Sequence, residues 1–417
     1  MAEENNLQTE TEETKKKGKG KRIVKRVLLI LGVSVLSLVI LLVSTFLFLL
    51  YSPWTREFRD RYVLMTYMTS NPWLSTLFFS RDTIDDIFMQ NGSIQPDEMV
   101  DTSIVKPIVM STPDIQATPD ASVVPDASVT PESTCTPEPT GAPTIKPTPT
   151  PSKHTPVPPP ISDIPFKMSN KYDEKVIYHD GSVCIVEFSG TTSLGKYTAR
   201  MIQVQDPSRV TLGVTNTLGT RGQHLAGICE TNDALCGINA GGFVDEGGQG
   251  HGGTPLGTVV KDGVYNVYTE ETDHTIIGFN RDNILVMGKF TEEDIAKHEI
   301  RDAMSWRYPA YLVLNGEKVE YKGYAYGYDP RSAIGQCADG TVLLLVVDGS
   351  ARRGIDGADF GMMADMMYAF GAVNAANLDG GTSSTMALNG KVINRVCNPQ
   401  VAYNGRWLAT AWLVKNQ

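Results

Sequence analysis

The sequence predicts an α/β fold of mixed α+β character. It expects one large domain whose mixed sheet includes a βαβ unit, preceded by a transmembrane helix and a disordered Pro/Thr-rich stalk. Three observations lead there. Val342–Val347 is an unbroken apolar run of valine and leucine, the pattern of a strand buried on both faces. After it, Phe360, Met363, Met367 and Phe370 fall at helical spacing, and a second short apolar run covers Val373–Leu378. Near the amino end, Val27–Tyr51 is apolar and carries no charge.

Taken from the start, residues Met1–Lys21 are polar and charged and are expected to be disordered. The basic tail (1–26) places Lys15, Lys16, Lys17, Lys19, Lys21, Arg22, Lys25 and Arg26 directly before the apolar run. That run (27–51) is long enough to span a bilayer with some tilt. It exceeds a signal-peptide core, and no small-residue cleavage site follows it. Basic residues before the span predict a cytoplasmic amino end and an extracellular remainder, single-pass in the cell membrane. The juxtamembrane segment (52–100) mixes aromatics, methionines and charges. Two readings are open for it: amphipathic helices on the outer leaflet, with Trp54, Tyr62 and Trp73 at the interface, or a self-packed helical hairpin. Residues 101–164 are Pro, Thr, Ser and Ala with acidic residues, and proline recurs every sixth position from Pro107 to Pro137. Such a segment cannot bury a core and reads as an extended linker. At about 3.1 Å per residue it would reach on the order of 200 Å and hold a domain well off a membrane.

The remaining 166–417 has the size of one large domain. Strand-like runs occur at Val176–Tyr178, Val183–Phe188 and Tyr197–Gln205. Hairpins are expected around Arg281-Asp282-Asn283 and Asn315-Gly316, and a helix over Thr291–Arg301. Net charge is −10 despite the basic anchor, which argues against a nucleic-acid partner. Of six cysteines, five lie in this region and fit no metal-ligand spacing. A Cys229–Cys236 disulfide and buried free thiols are both open.

Strand, crossover helix and strand put the ends of the two apolar runs at one rim. Asp348-Gly349 leaves the first run and Asp379-Gly380-Gly381 the second, so the two carboxylates should sit on adjacent strands or one strand apart. Asp359 or Asp356 is available to cap the helix, and Gly371 to stop it. Open α/β sheets place ligands at such rims. Two Asp-Gly exits at one rim, with Ser383 and Ser384 following, favour a site over ordinary strand ends. Arg331 occupies one strand of an expected hairpin turning at Ala338-Asp339-Gly340. It is either an exposed partner of a carboxylate or a two-pronged grip for phosphate. Asn239 and the Gly241-Gly242-Phe243 turn end another apolar run; the Asn239 amide either bonds its own turn or meets a sugar hydroxyl. His251, among glycines, is more often a surface residue than a base.

Several ordered motifs now coincide: NAGGF at Asn239, RSAIG at Arg331, Asp348-Gly349, Arg353-Gly354-Ile355 and NAANLDGGTSSTMALNG from Asn374. Together they resemble the phosphodiester glycosidase family, whose bacterial members are often described as exopolysaccharide-related. The resemblance covers most of 166–417 and none of the anchor or stalk. Thr382 departs from it, since the family commonly has a third glycine there.

The resemblance implies hydrolysis of a sugar-1-phosphodiester; no cofactor is expected, and no residue is singled out as a metal ligand. A phosphodiester is already a good leaving group, so general-acid help matters less than a carboxylate at the anomeric carbon and a cation on the phosphate. Asp379 and Asp348 are the candidate carboxylates. Arg331, Asn239, Gly242, His251, Ser383 and Ser384 are the candidate substrate contacts, and the partner is a sugar phosphate or glycopolymer. Two other classes stay open. One is a non-catalytic glycan-binding or assembly factor of the same fold at the cell surface. The other is a serine hydrolase pairing Ser384 with His251, although no GxSxG elbow is present.

Overall fold

Side chains of Val342–Val347 alternate between two apolar clusters: Val342, Leu344 and Val346 in one, Leu343, Leu345 and Val347 in the other. Every residue of the run is therefore buried, and the period-two pattern of a half-exposed strand is lost. A computed structural model describes residues 2–67, 73–90, 99–107, 166–192, 195–245, 250–269, 274–307, 311–321, 327–349, 357–397 and 404–417.

Four helices precede the sheets: α1 (Ala2–Tyr51), α2 (Arg56–Tyr67), α3 (Trp73–Thr76) and α4 (Arg81–Gln90). The strands and later helices follow as β1 (Lys175–His179), β2 (Val183–Thr191), β3 (Lys196–Val204), β4 (Val210–Val214), α5 (Leu225–Thr231), β5 (Ala234–Asn239), β6 (Val259–Lys261) and β7 (Val264–Val267). Next come β8 (His274–Asn280), β9 (Leu285–Gly288), α6 (Glu292–Lys297), β10 (Ile300–Arg307), β11 (Tyr311–Leu314), β12 (Glu317–Lys318) and β13 (Arg331–Cys337). The chain ends through β14 (Val342–Val347), α7 (Phe360–Ala369), β15 (Ala372–Asn377), β16 (Met386–Leu388), β17 (Lys391–Val392) and β18 (Thr410–Lys415).

An eight-stranded sheet runs β1-β2-β3-β14-β13-β15-β11-β12. Two five-stranded sheets run β7-β6-β10-β8-β9 and β17-β16-β5-β18-β4. One apolar cluster fills the space between the large sheet and the two smaller ones, joining Ile185, Ile202, Ile334 and Leu344 to Ile238, Trp412, Ile277 and Phe279. The opposite face of the large sheet is covered by Phe360, Met363 and Met367 of α7. Helix α5 covers the outer face of one small sheet and Ile295 of α6 that of the other.

The crossover from β14 through α7 to β15 is present, with β13 between the two strands. Both pair antiparallel with β13, so they run in the same direction one strand apart. Each ladder among the described residues is antiparallel, and the short turn from β13 to β14 can join only antiparallel neighbours. Asp359 caps α7, accepting from the Met362 N–H at 2.8 Å, and Gly371 ends the helix at φ +88°. Both expected hairpins form, at β8–β9 and β11–β12. The five cysteines of this region are buried free thiols, so Cys229 and Cys236 are not bridged.

The amino end departs from its reading. Helix α1 begins at Ala2, because Glu, Gln and Lys favour helix and no proline precedes the apolar run. Beyond it, Tyr62 packs edge-on against Phe46 and Phe78, with ring centroids 5.6 and 6.1 Å apart. Leu50, Val63, Ile84 and Ile87 are buried. The juxtamembrane segment is thus self-packed, and Tyr62 belongs to its interior, while Trp54 and Trp73 remain exposed. Residues 101–107, read as the start of the linker, lie against the domain: the Lys106 N–H donates to the Ala338 carbonyl at 2.7 Å. The rest of that linker, 108–164, lies outside the described residues, as does the Arg353-Gly354-Ile355 motif.

Replacing the α7 cap, Asp359→Ala, should cost about 1 kcal/mol and lower the melting temperature by about 2–4 °C, measured by calorimetry.

Candidate functional site

Arg331 pairs with Val347 at one end of the β13–β14 ladder, and Ala333 pairs with Asn377 in β15. Arg331, Asp348 and Asp379 therefore lie at one rim of the large sheet, as the crossover predicts. Their environments differ sharply. Asp348 is buried and its oxygens are already taken: Arg200 Nη1 reaches one at 2.8 Å, the Arg395 N–H at 3.0 Å, and Asn394 Nδ2 the other at 3.0 Å. Arg200 also holds Glu187 at 2.6 Å. This carboxylate ties β14 to β3 and to the 394–395 turn. Arg331 is also buried, with its guanidinium over the Phe360 ring at 4.5 Å. It donates to the carbonyls of Ala358 and Gly327, both at 3.2 Å, and thereby braces the loop before β13 and the start of α7.

Asp379 is placed by Asn239. The last residue of β5, Asn239 is fully buried in the small sheet that faces the rim. Its Nδ2 donates to the Asp379 carbonyl at 2.7 Å, and its Oδ1 accepts from the Ser332 hydroxyl at 2.7 Å and the Thr385 N–H at 3.2 Å. The Asp379 N–H closes the seam by donating to the Ala240 carbonyl at 3.1 Å. Asn239 thus neither caps its own turn nor faces a sugar; its whole amide fixes the backbone beneath Asp379.

Burial raises the Asp379 carboxyl from its ordinary value to about 6, and the nearby Asp245 carboxylate pushes the same way. The Ser383 hydroxyl, the Arg406 charge and the Gly380 N–H oppose that rise. Asp379 is a half-buried carboxylate whose proton affinity is raised by burial.

Two residues of this constellation escaped the sequence reading. Arg406 grips Asp245 with both prongs, at 2.7 and 2.8 Å, lies over the Phe243 ring at 4.6 Å, and donates to Thr382 Oγ1 at 3.3 Å. Thr382, where the family commonly has glycine, contributes a hydroxyl to this arginine. A signal for the pair existed: Asp245 leaves the Gly241-Gly242-Phe243 turn, and Arg406 is the lone charge opening the apolar run into β18.

The other predicted residues divide. Ser383 joins Asp379. Ser384 Oγ is buried without a hydrogen-bond partner, so His251 does not reach it and no serine–histidine pair forms. His251 is exposed, beside the Trp407 ring at 5.6 Å. Gly242 is a spacing residue, since a Cβ there would come within 2.2 Å of the Trp306 ring.

Asn239→Ala would leave a carbonyl, a hydroxyl and an N–H unpaired in the interior, so a loss of about 2–4 kcal/mol is expected in denaturant unfolding. Asp348→Asn should also destabilise, by about 2 kcal/mol or more, because it leaves Arg200 undercompensated. An unchanged melting curve for Asp348→Asn would remove the bracing role.

Comparison with known proteins places these motifs. Residues 232–415 match the family model described as phosphodiester glycosidase. The N-acetylglucosamine-1-phosphodiester alpha-N-acetylglucosaminidase of Bos taurus is 29% identical over 154 residues, covering 33% of this chain and 29% of that protein. The Homo sapiens enzyme of the same name is 28% identical over 154 residues, 33% of this chain and 30% of its own length. The SPbeta prophage-derived uncharacterized protein YomE of Bacillus subtilis (strain 168) is 45% identical over 69 residues, 16% of this chain and 10% of its own. The chain therefore spans less than a third of the length of these curated relatives. Among solved structures, the zebrafish N-acetylglucosamine-1-phosphodiester alpha-N-acetylglucosaminidase catalytic domain, auto-inhibited by its pro-peptide, is 22% identical. It covers 59% of this chain and 88% of that one at a TM-score of 0.48. The stretch 232–415, over which the chain matches the phosphodiester glycosidase family, carries Asn239, Asp245, Asp379 and Arg406.

Proposed function

We propose that this protein hydrolyses sugar-1-phosphodiesters, with Asp379 as the reacting carboxylate. The observation that carries the reading is the Asp379 environment: a carboxyl raised to about 6 beside one hydroxyl, one arginine and one further carboxylate, in a family domain. In the reaction the bond between the anomeric carbon and the phosphate oxygen breaks. The sugar carbon takes a hydroxyl from water, and the phosphate leaves on its other alcohol as a monoester. Phosphate is a stable anion as it leaves, so the group most needed at the carbon is an ionised carboxylate, stabilising the oxocarbenium-like centre or taking the proton of the attacking water. Asp379 suits that role and Ser383 orients it. Arg406, the cation that acts on Asp379, is the group best suited to meet the phosphate charge. Arg331 and Asp348 serve by bracing the rim.

Membrane anchoring belongs to the same proposal. Lys25–Tyr51 is one helix long and apolar enough to cross a membrane by length and composition, and its side chains are exposed over most of its length. With the basic residues before it, the domain would face outward, towards cell-surface glycans or exopolysaccharide.

Asp379→Asn keeps the shape and removes the charge. Turnover of sugar-1-phosphodiesters should fall at least about a hundredfold, roughly 3 kcal/mol in the barrier. The pH dependence carries a second signature. A folded-state value of about 6 above the ordinary 3.8 means that the folded protein holds a proton the unfolded chain has released between those values. Stability contributed by this group is therefore full below the ordinary value and lost as pH rises through about 6. The Asn variant should melt above the parent at neutral pH and converge with it in acid, while parental kcat/KM rises with pH through about 6. Normal turnover by a folded Asp379→Asn protein would remove Asp379 as the reacting carboxylate, and no turnover by the folded parent would leave glycan binding without catalysis as the function.

A further inference from the structure

The Pro/Thr-rich stretch leaves and re-enters the domain at a single turn. Before it, the chain from Met99 to Pro107 is pinned along the domain. The Val100 N–H donates to the Met287 carbonyl at 3.3 Å and the Asp101 N–H to Asn315 Oδ1 at 2.7 Å. Val105 is buried, and the Lys106 N–H donates to the Ala338 carbonyl. Pro107 sits on Gly340, where a Cβ would come within 2.7 Å of the proline Cα. After the stretch, Lys167 exchanges two backbone hydrogen bonds with the buried Gln203 amide, at 2.8 and 2.7 Å. Its ammonium pairs with Asp339, the residue between Ala338 and Gly340. Both ends of 108–165 are thus fastened to one β-turn, at the end of β13 and β14 away from Asp348.

Upstream, the helices that follow the apolar span are part of the same assembly. Leu50, Val63, Leu64, Phe79, Ile84 and Ile87 share one buried cluster with Phe360 and Met363 of α7 and with Phe188 and Met201 of the large sheet. Met65 of α2 approaches Gly327, whose carbonyl Arg331 holds.

We infer that residues 46–67, 73–90 and 99–107 form a clasp that binds the 166–417 domain non-covalently, so that this contact, and not the length of 108–165, sets the distance of the domain from the anchor helix. The partner of this surface is the chain's own juxtamembrane segment. Where α1 spans a membrane, the domain then lies close to it, whatever the length of 108–165. Trp54 and Trp73, both exposed, lie in the segment that would meet the headgroups.

The test uses the full chain with an amino-terminal tag, solubilised in mild detergent, and a specific endoprotease sequence inserted beside Lys153. After complete cleavage, the carboxyl-terminal fragment should still co-elute with the tagged anchor fragment on gel filtration. A folded fragment that elutes alone would overturn the clasp. In the second arm, Val105→Asp with Ile84→Asp places charge in two buried contacts and should raise release after cleavage at least about tenfold. Retention of that variant to the same extent as the parent would equally overturn the inference, since the contacts named here would not be what holds the pieces. Neither arm depends on the reaction proposed for Asp379.

Discussion

The amide of Asn239 is the interaction on which the site depends. One fully buried side chain fastens the turn after β15, the Ser332 hydroxyl on β13 and the Thr385 backbone ahead of β16 to the end of β5. A buried amide is costly unless its hydrogen bonds are made, so the three segments can reach low energy together only in this arrangement. The seam between the large sheet and its smaller neighbour is thereby fixed at the point where Asp379 projects. The catalytic role proposed for Asp379 would gain from such support, because small displacements of a functional group are expensive in rate.

Asp348 and Asp379 show how the environment divides two residues of one type at one rim. Asp348 meets an arginine, an amide and a backbone N–H, and its charge is spent within the protein. Asp379 meets a hydroxyl, a single N–H and the Arg406 charge, yet burial outweighs them and raises its carboxyl above the ordinary value. Chain direction brought both to the rim; hydrogen-bond supply assigned them different work.

Much of this architecture was legible in the chain. The β14–α7–β15 crossover could be read because its signals are local: an apolar run, helical spacing, Asp359 as cap and Gly371 as stop. The insertion of β13 between the two strands could not, since strand neighbours are decided by pairing across distant sequence. Arg331 was correctly placed at the rim, yet the carbonyls of Gly327 and Ala358 that occupy its guanidinium were invisible. Asp245 and Arg406 stand 161 residues apart and become a pair only through the fold. Residues 101–107 read as linker because they open a stretch rich in Pro, Thr and acidic residues, while what holds them, Asn315 and Ala338, lies far along the chain.

The buried cysteines have a consequence for where the domain can be made. Burial raises the thiols of Cys184, Cys229 and Cys337 to between about 11 and 12, and that of Cys236 further still. At neutral pH the reactive thiolate is then roughly one part in ten thousand or fewer at each of the first three. They neither cross-link the native state nor readily exchange with outside disulfides. With its five cysteines buried and unbridged, the native fold is held without a disulfide, so its assembly needs no oxidative step on either side of a membrane.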